Sequence, residues 1–424
     1  MKNFIIPFPI YEKKMENGIN VTVIYRKGFR KLTALLAFPF GSLHKSFLGP
    51  NGQVLEIPDG TAHFLEHQMF KQENKSNVSE AFAKLGAYDN AFTGHDQTVY
   101  MAESSENQEA VLQLLLSYTD QPFFQPDSVE NEKDIIVQEL LMYKDQPEEA
   151  MELNLRQGLF GQHQVSKDIG GTEETVRQVS SELLYQCYDA FYSPENARLI
   201  VAGDIDPETV FHLASQWGTY QSKGFRPIEP TNASGKGENK NFNIEARAAR
   251  PLISLAWADY DENPLKGRTF LKRRMQTNLL ADLIFGRSGP LYWHLLKNNS
   301  FGSRFSGNYY ATPYFSYLAV RADSSNPSEL QEEIENYLAS AEALALIKKE
   351  NLERLKRKTL GDLLTQFENS EDIALNFLVA DYYGYSFMDI PDILEEITVE
   401  ELHQRFKQIF NSENLVTSIV QPLP

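Results

Sequence analysis

His63-Phe64-Leu65-Glu66-His67 decides how this chain is read. On an α-helix, positions i, i+3 and i+4 share one face, so both imidazoles and the carboxylate between them can converge on a point. Imidazoles at that spacing can hold one zinc ion, and the carboxylate can take a proton from an attacking water. The order His-x-x-Glu-His inverts the commoner metallopeptidase order. The flanks favour a built site over two solvated histidines. Pro58-Asp59-Gly60-Thr61 predicts a turn followed by an N-cap. Ala62, Phe64, Leu65, Met69 and Phe70 make the helix apolar, and buried imidazoles and carboxylates need partners.

A chain of 424 residues has room for two or more domains, and 42% hydrophobic with 23% charged residues marks a globular protein. Cys187 is the one cysteine, which rules out an intrachain disulfide and fits a reducing compartment. The amino-terminal apolar run is broken by Pro7 and Pro9, and Tyr11-Glu12-Lys13-Lys14 follows where a cleavage site would lie. It is not read as a signal peptide. No apolar run approaches the ~20 residues of a membrane span, so the expected location is cytoplasmic. A formal net charge of −18 argues against a nucleic-acid partner.

Residues 20–25 and 31–38 read as strands, followed by the motif helix and a helix over 77–85. Residues 92–102 alternate and read as one strand. Helices are expected over 108–118, 127–143 and 182–192, then a strand over 197–202. From Lys223 to Lys240 the composition turns to Pro, Gly, Ser and charge, which is linker composition. Beyond it, strands over 252–257 and 314–321 and helices over 271–285 and 328–340 are expected. An internal repeat is visible. Glu182-Leu183, Phe191 and Glu195-Asn196 before an apolar strand recur as Glu401-Leu402, Phe410 and Glu413-Asn414 before another, an offset of about 219 residues. The expected organisation is a domain over 1–222, a linker over 223–240 and a second copy over 241–424. The second copy has no His-x-x-Glu-His, so one zinc per chain is expected.

Two imidazoles leave a catalytic zinc one protein ligand short. The best source is the acidic helix spanning Val129 and Tyr143, where Glu132 and Glu139 lie two turns apart on one face. By residue type alone, either glutamate could equally be solvated.

Three stretches carry a resemblance to a known family. They are Gly60 to Phe70, then Gly86-Ala87-Tyr88-Asp89-Asn90-Ala91-Phe92-Thr93-Gly94-His95-Asp96-Gln97-Thr98-Val99-Tyr100, then Glu132 to Glu139. The chain resembles the M16 metallopeptidases, the pitrilysin, insulinase and mitochondrial processing peptidase group, and among them the two-domain bacterial M16B, YmfH-like subgroup. The likeness is strong over about residues 15–210 and weaker beyond, apart from the repeat. It implies an α+β fold of two homologous M16-type (LuxS/MPP-like) α/β-sandwich domains, forming half of a clamshell. It implies His63, His67 and Glu139 as zinc ligands, Glu66 as general base and Glu132 as an assisting carboxylate behind them. It implies that Asn90, Ala91 and Phe92 hold a peptide substrate as an added strand, with Phe70 and Phe92 walling a side-chain pocket. The function implied is a zinc endopeptidase cleaving unfolded peptides or leader segments in an enclosed chamber. The rival is a non-catalytic peptide-binding or scaffold subunit.

One part of the family pattern is missing. Active members also carry an Arg and a Tyr seven apart, and here Lys297 and Arg304 stand in those places. Lys is no geometric substitute for a planar guanidinium, and Arg304 has no phenol hydroxyl. The reading that follows is a heterodimer, with a paralogous M16 subunit supplying Arg and Tyr; a homodimer is the lesser alternative. Between Asp127 and Glu152, nine acidic residues stand against Lys133 and Lys144. That can attract basic substrates or merely solvate a helix face.

Overall fold

The computed structural model describes residues 8–73, 77–260 and 264–423. Most of the amino-terminal run, residues 1–7, lies outside them.

Two stretches organise the molecule. Leu32–Phe38 and Leu252–Ala258 are continuously apolar, and every residue of both strands is buried. A strand of that kind needs cover on both faces. The strands in chain order are β1 (Ile10–Lys14), β2 (Asn20–Tyr25), β3 (Leu32–Phe38), β4 (Ser46–Leu48), β5 (Val54–Glu56), β6 (Tyr88–Thr93) and β7 (Thr98–Ser104). There follow β8 (Arg198–Gly203), β9 (Arg226–Pro227), β10 (Asn241–Ala246), β11 (Leu252–Ala258), β12 (Phe305–Ala311), β13 (Ser316–Asp323) and β14 (Leu415–Pro422).

The first sheet runs β1-β2-β8-β3-β7-β6, the second β10-β14-β11-β13-β12. The repeat seen in the sequence is a repeat of topology. β2 and β8 are parallel, as are β10 and β14, and the remaining pairs in both sheets are antiparallel. Two domains of like topology and mixed α and β structure are thus present, as expected.

Each half also supplies a helix to the other. Ser370–Tyr382 packs on β8 and β3 of the first sheet, and Pro147–Phe160 packs on β14 and β11 of the second. Ile24, Leu35, Ala37, Val99, Met101, Ile200 and Ala202 of the first sheet therefore join the core of the second half. The opposite face, with Val23, Ala34, Leu36, Phe38 and Tyr100, packs on the helices of its own half, the motif helix among them. Fully burying a Leu, Ile or Phe contributes about 1.5–3 kcal/mol, so this exchange binds the halves strongly.

Three local expectations change. Residues 92–102 do not form one strand: Gly94 N–H donates to Gln97 O at 2.8 Å, and the chain folds into the β6–β7 hairpin. The turn exchanges parity: Phe92 lies opposite Val99 and Thr93 opposite Thr98. The N-cap of the motif helix is Gly60, at φ 88°, and Thr61 instead donates its hydroxyl to Pro58 O at 2.7 Å. A Cβ at Gly60 would lie 2.2 Å from the Gly170 carbonyl oxygen, so both the backbone conformation and the space require glycine. Finally, the Pro- and Gly-rich stretch after Lys223 is not free chain. It contains β9, which pairs with β4, and Ala233 N–H bonds Tyr314 O at 2.9 Å.

The hairpin turn is fastened to the second half. Tyr382 donates to Asp96 O at 2.9 Å, and Tyr383 donates to the Asp96 carboxylate at 3.0 Å. Burial pushes the Asp96 carboxyl up from 3.8 to about 6, against the opposing pull of the Tyr383 hydroxyl. The folded state therefore favours the neutral acid. That contribution is present at low pH and is lost as pH rises from about 4 through about 6. Ionising the group at neutral pH costs about 3 kcal/mol. Asp96→Asn keeps an acceptor for Tyr383 and removes the charge. It should raise the thermal midpoint at pH 8 and leave it nearly unchanged at pH 4; equal shifts at both pH values would refute this account.

Candidate metal centre

The motif helix, Thr61–Met69, is braced at its start. The Asp59 carboxylate accepts from Lys45 at 2.8 Å, Lys167 at 2.9 Å and Gln164 at 2.5 Å, tying the preceding turn to the loop that carries Gly170. Phe64, Leu65 and Met69 are buried in the first core. That fixes the helix phase and turns His63 and His67 the other way, 16% and 23% exposed at the side chain. The acidic helix, Pro126–Lys144, crosses the motif helix with Val129, Ile136 and Val137 buried.

The two helices bring three ligand-capable side chains together. His63 Nε2 lies 3.8 Å from Glu139 Oε1, and His67 Nε2 lies 3.4 Å from Glu139 Oε2. One donor atom from each of His63, His67 and Glu139 falls within 4.8 Å of the others, the one such group found among the described residues. Ligands on a tetrahedral zinc at ~2.0–2.1 Å stand about 3.4 Å apart. The separations, the pair of neutral-capable imidazoles and the single carboxylate fit that ion. Among the described residues, His63 Nδ1 is buried without a hydrogen-bond partner.

Glu132 stands behind His67. Its Oε1 meets His67 Nδ1 at 3.0 Å and its Oε2 meets Lys71 Nζ at 3.1 Å. This fixes the ring so that Nε2 faces Glu139, the outer support that ligating histidines commonly have. Burial alone would raise the Glu132 pKa, but the bonds to His67 and Lys71 hold it below the usual carboxylate range. Burial, and then the neighbouring His67, hold His63 down at about 3, so its imidazole is neutral. Burial also works against charge on His67. The bond to Glu132 and the charges of Glu139 and Glu66 outweigh it and raise its pKa.

Glu66 is 8% exposed, and burial raises its pKa. Thr93 donates to its Oε2 at 2.5 Å. Thr93 is a residue that sequence reasoning missed. Its signal was parity: it shares a strand face with Ala91, whereas Asn90 and Phe92 lie on the other.

β6 is the edge of the first sheet and pairs on one side with β7. Asn90, Ala91 and Phe92 thus lie on a strand that, among the described residues, has no strand on its other side. The expected pocket between Phe70 and Phe92 does not form. Phe70 packs near Tyr100 and Tyr118, at centroid distances of 6.3 and 6.1 Å, on the motif-helix side. Phe92 pairs with Val99 and lies on the opposite face, 39% exposed. Strand alternation separates them.

Lys297 ends the helix Pro290–Lys297 and is exposed. Arg304 donates to Glu148 at 2.8 Å. Many acids of the 127–152 stretch are likewise engaged within the chain: Glu130 with Lys133, Asp134 with Arg177, Glu152 with Arg321. Their pairing weakens the case for a basic substrate. His95 is structural, bonded to Ser42 at 2.9 Å with its ring edge-on to Phe315.

Comparison with known proteins gives the family and the fold. Residues 52–173 match the family described as Insulinase (Peptidase family M16), and residues 178–359 match Peptidase M16 inactive domain. The chain is 31% identical over 426 residues to the uncharacterized zinc protease YmfH of Bacillus subtilis (strain 168), covering 97% of this chain and 96% of that one. It is 25% identical to an uncharacterized zinc protease of Rickettsia bellii (strain RML369-C), covering 96% and 98%. Among solved structures, a putative M16-like peptidase from Alicyclobacillus acidocaldarius superposes with a TM-score of 0.92 at 28% identity, covering 99% and 100%. A protease from Helicobacter pylori shares the fold, with a TM-score of 0.78 at 18% identity, covering 98% and 100%.

Removing the support behind His67 should weaken metal binding without destroying the ligand set. Glu132→Ala is expected to lower zinc affinity about 10–100-fold, and Glu139→Ala to lower it further. Competition against a chromophoric chelator measures both. Parental affinity in Glu132→Ala would remove Glu132 from the site.

Proposed function

This chain belongs to the insulinase family of peptidases, M16, and on that footing we propose that it is a zinc-dependent endopeptidase. The observation that carries the reading is the convergence of His63, His67 and Glu139 on one point, with the buried carboxylate of Glu66 beside it. A non-catalytic subunit has no use for that arrangement.

When bound, one zinc ion per chain supplies Lewis-acid polarisation of the scissile carbonyl and lowers the pKa of water towards ~7. The rest is done by the chain. His63, His67 and Glu139 would hold the ion, and Glu132 keeps the His67 ring in register. Glu66 takes one proton from the attacking water as its oxygen bonds to the carbonyl carbon. Glu66 then gives that proton to the amide nitrogen as the C–N bond breaks, leaving an acid and an amine. The open side of β6, through Asn90, Ala91 and Phe92, offers backbone donors and acceptors to an extended peptide. Such docking selects unfolded peptides or leader segments, since a folded segment has its own backbone bonds occupied.

Lys297 and Arg304 cannot replace the Arg and Tyr of active family members. We therefore place the chain as the zinc-bearing, cytoplasmic half of a heterodimer, its paralogous partner closing the chamber and supplying both residues. The rival reading, a peptide-binding scaffold, draws on that same departure and requires no bound metal.

Glu66→Gln should retain about one zinc per chain and lose at least about 100-fold in kcat on an unstructured fluorogenic peptide. Unchanged turnover would remove Glu66 as base. The isolated chain should be nearly inactive and should gain activity when co-expressed with a paralogue that carries the Arg and Tyr. Full activity alone would end the heterodimer reading, and a zinc-free, inactive complex would favour the scaffold.

A further inference from the structure

We propose that Thr93 is a positioning residue for Glu66, holding one carboxylate oxygen so that the other faces the reacting water. This rests on the peptidase reading above. An ionised carboxylate only accepts, so the hydroxyl of Thr93 is the donor in the 2.5 Å contact with Glu66 Oε2. Oε1 is left to receive a proton. Rotation about the end of the Glu66 side chain would otherwise exchange the two oxygens, because that torsion is broad.

The surroundings direct the Thr93 proton. Thr98, directly opposite on β7 and wholly buried, donates its own hydroxyl proton to Phe40 O at 2.7 Å. Each hydroxyl has one proton, so the 3.3 Å contact between Thr93 and Thr98 takes none from Glu66. The backbone beneath Thr93 is held as firmly. Ser42 N–H donates to Gly94 O at 3.1 Å, and Leu43 N–H donates to His95 O at 2.8 Å. A Cβ on Gly41 would come within 2.6 Å of His95 O, so the two segments are in direct contact. Tyr382 and Tyr383 of the helix from the second half fix Asp96. The hydroxyl therefore sits on a hairpin locked at its turn, as positioning requires.

The test compares Thr93→Val, which keeps the shape and removes the hydroxyl, with Thr93→Ser, which keeps the hydroxyl. In the complex with its partner subunit, Thr93→Val should lower kcat at least about tenfold, with KM and zinc content within twofold of the parent. Thr93→Ser should restore kcat to within about threefold. A second measurement needs neither metal nor turnover. The infrared carboxylate stretch of Glu66, isolated in the metal-free chain by difference against Glu66→Gln, should shift in Thr93→Val and return in Thr93→Ser. No shift overturns the assignment whatever the activity. A shift with unchanged kcat, or a loss confined to KM or zinc, overturns it as well. A shift with an inactive parent overturns the peptidase reading and leaves the hold of Thr93 on Glu66 standing.

Discussion

The constraint on which the rest of the molecule depends is the cover that β3 and β11 require. Each is a run of seven buried residues, and neither half has enough helix on the inner side to cover its own strand. The exchange of Ser370–Tyr382 for Pro147–Phe160 solves both problems together. It also has a consequence for the site. Pro147–Phe160 follows the acidic helix after a short break, so the same packing that covers the second sheet sets where the acidic helix ends. The helix given in return, Ser370–Tyr382, reaches the β6–β7 turn through Tyr382 and, one residue beyond it, Tyr383. The hairpin that carries Thr93 is thus held by contacts that cross between the halves.

The site itself is a problem of buried charge. His63, Glu66, His67, Glu132 and Glu139 lie within two helices, and leaving such groups unpaired would cost several kcal/mol. The structure distributes partners unevenly. Glu132 has His67 and Lys71, and Glu66 has Thr93. Among the described residues, His63 has no partner at Nδ1 and meets Glu139 through Nε2 at 3.8 Å, too long for a hydrogen bond. Nε2 of both histidines and the Glu139 carboxylate face one another without a close hydrogen bond, at 3.8 and 3.4 Å, and that is the gap a cation would fill.

The legible parts of the sequence were those governed by short-range periodicity. His63, Glu66 and His67 share a helix face by arithmetic, and the apolar residues among them fix which face is buried. Glu139 was not legible that way. Its helix crosses the motif helix by tertiary packing, and only the resemblance to M16 peptidases chose it over a solvated glutamate. The hairpin was missed because Gly94 alone is a weak turn signal, although the turn exchanges parity and sets Ala91 opposite Tyr100 and Phe92 opposite Val99. The Phe70–Phe92 pocket failed for another reason: residue type suggested partners, and the pleat put them on opposite faces. The repeat was legible at the ends of the two halves, where helix and strand recur at a fixed offset. The helix exchange was invisible, since nothing local distinguishes a helix that covers its own sheet from one that covers its neighbour's.

The pleat of β6 also governs how a docked peptide would be read. A segment added to the open side continues the alternation of the sheet. Its side chains point by turns towards the face of Tyr88, Asn90 and Phe92 and towards the face of Ala91, Thr93 and the motif helix. The first face presents rings, with Tyr88 57% and Phe92 39% exposed. The second presents the small Ala91 on the side of the motif helix, where Thr93 meets Glu66. On the peptidase reading, apolar recognition and chemistry would fall to alternate residues of the peptide. Specificity would then belong to residues one or more places removed from the amide to be cut, read by the exposed face of Tyr88 and Phe92.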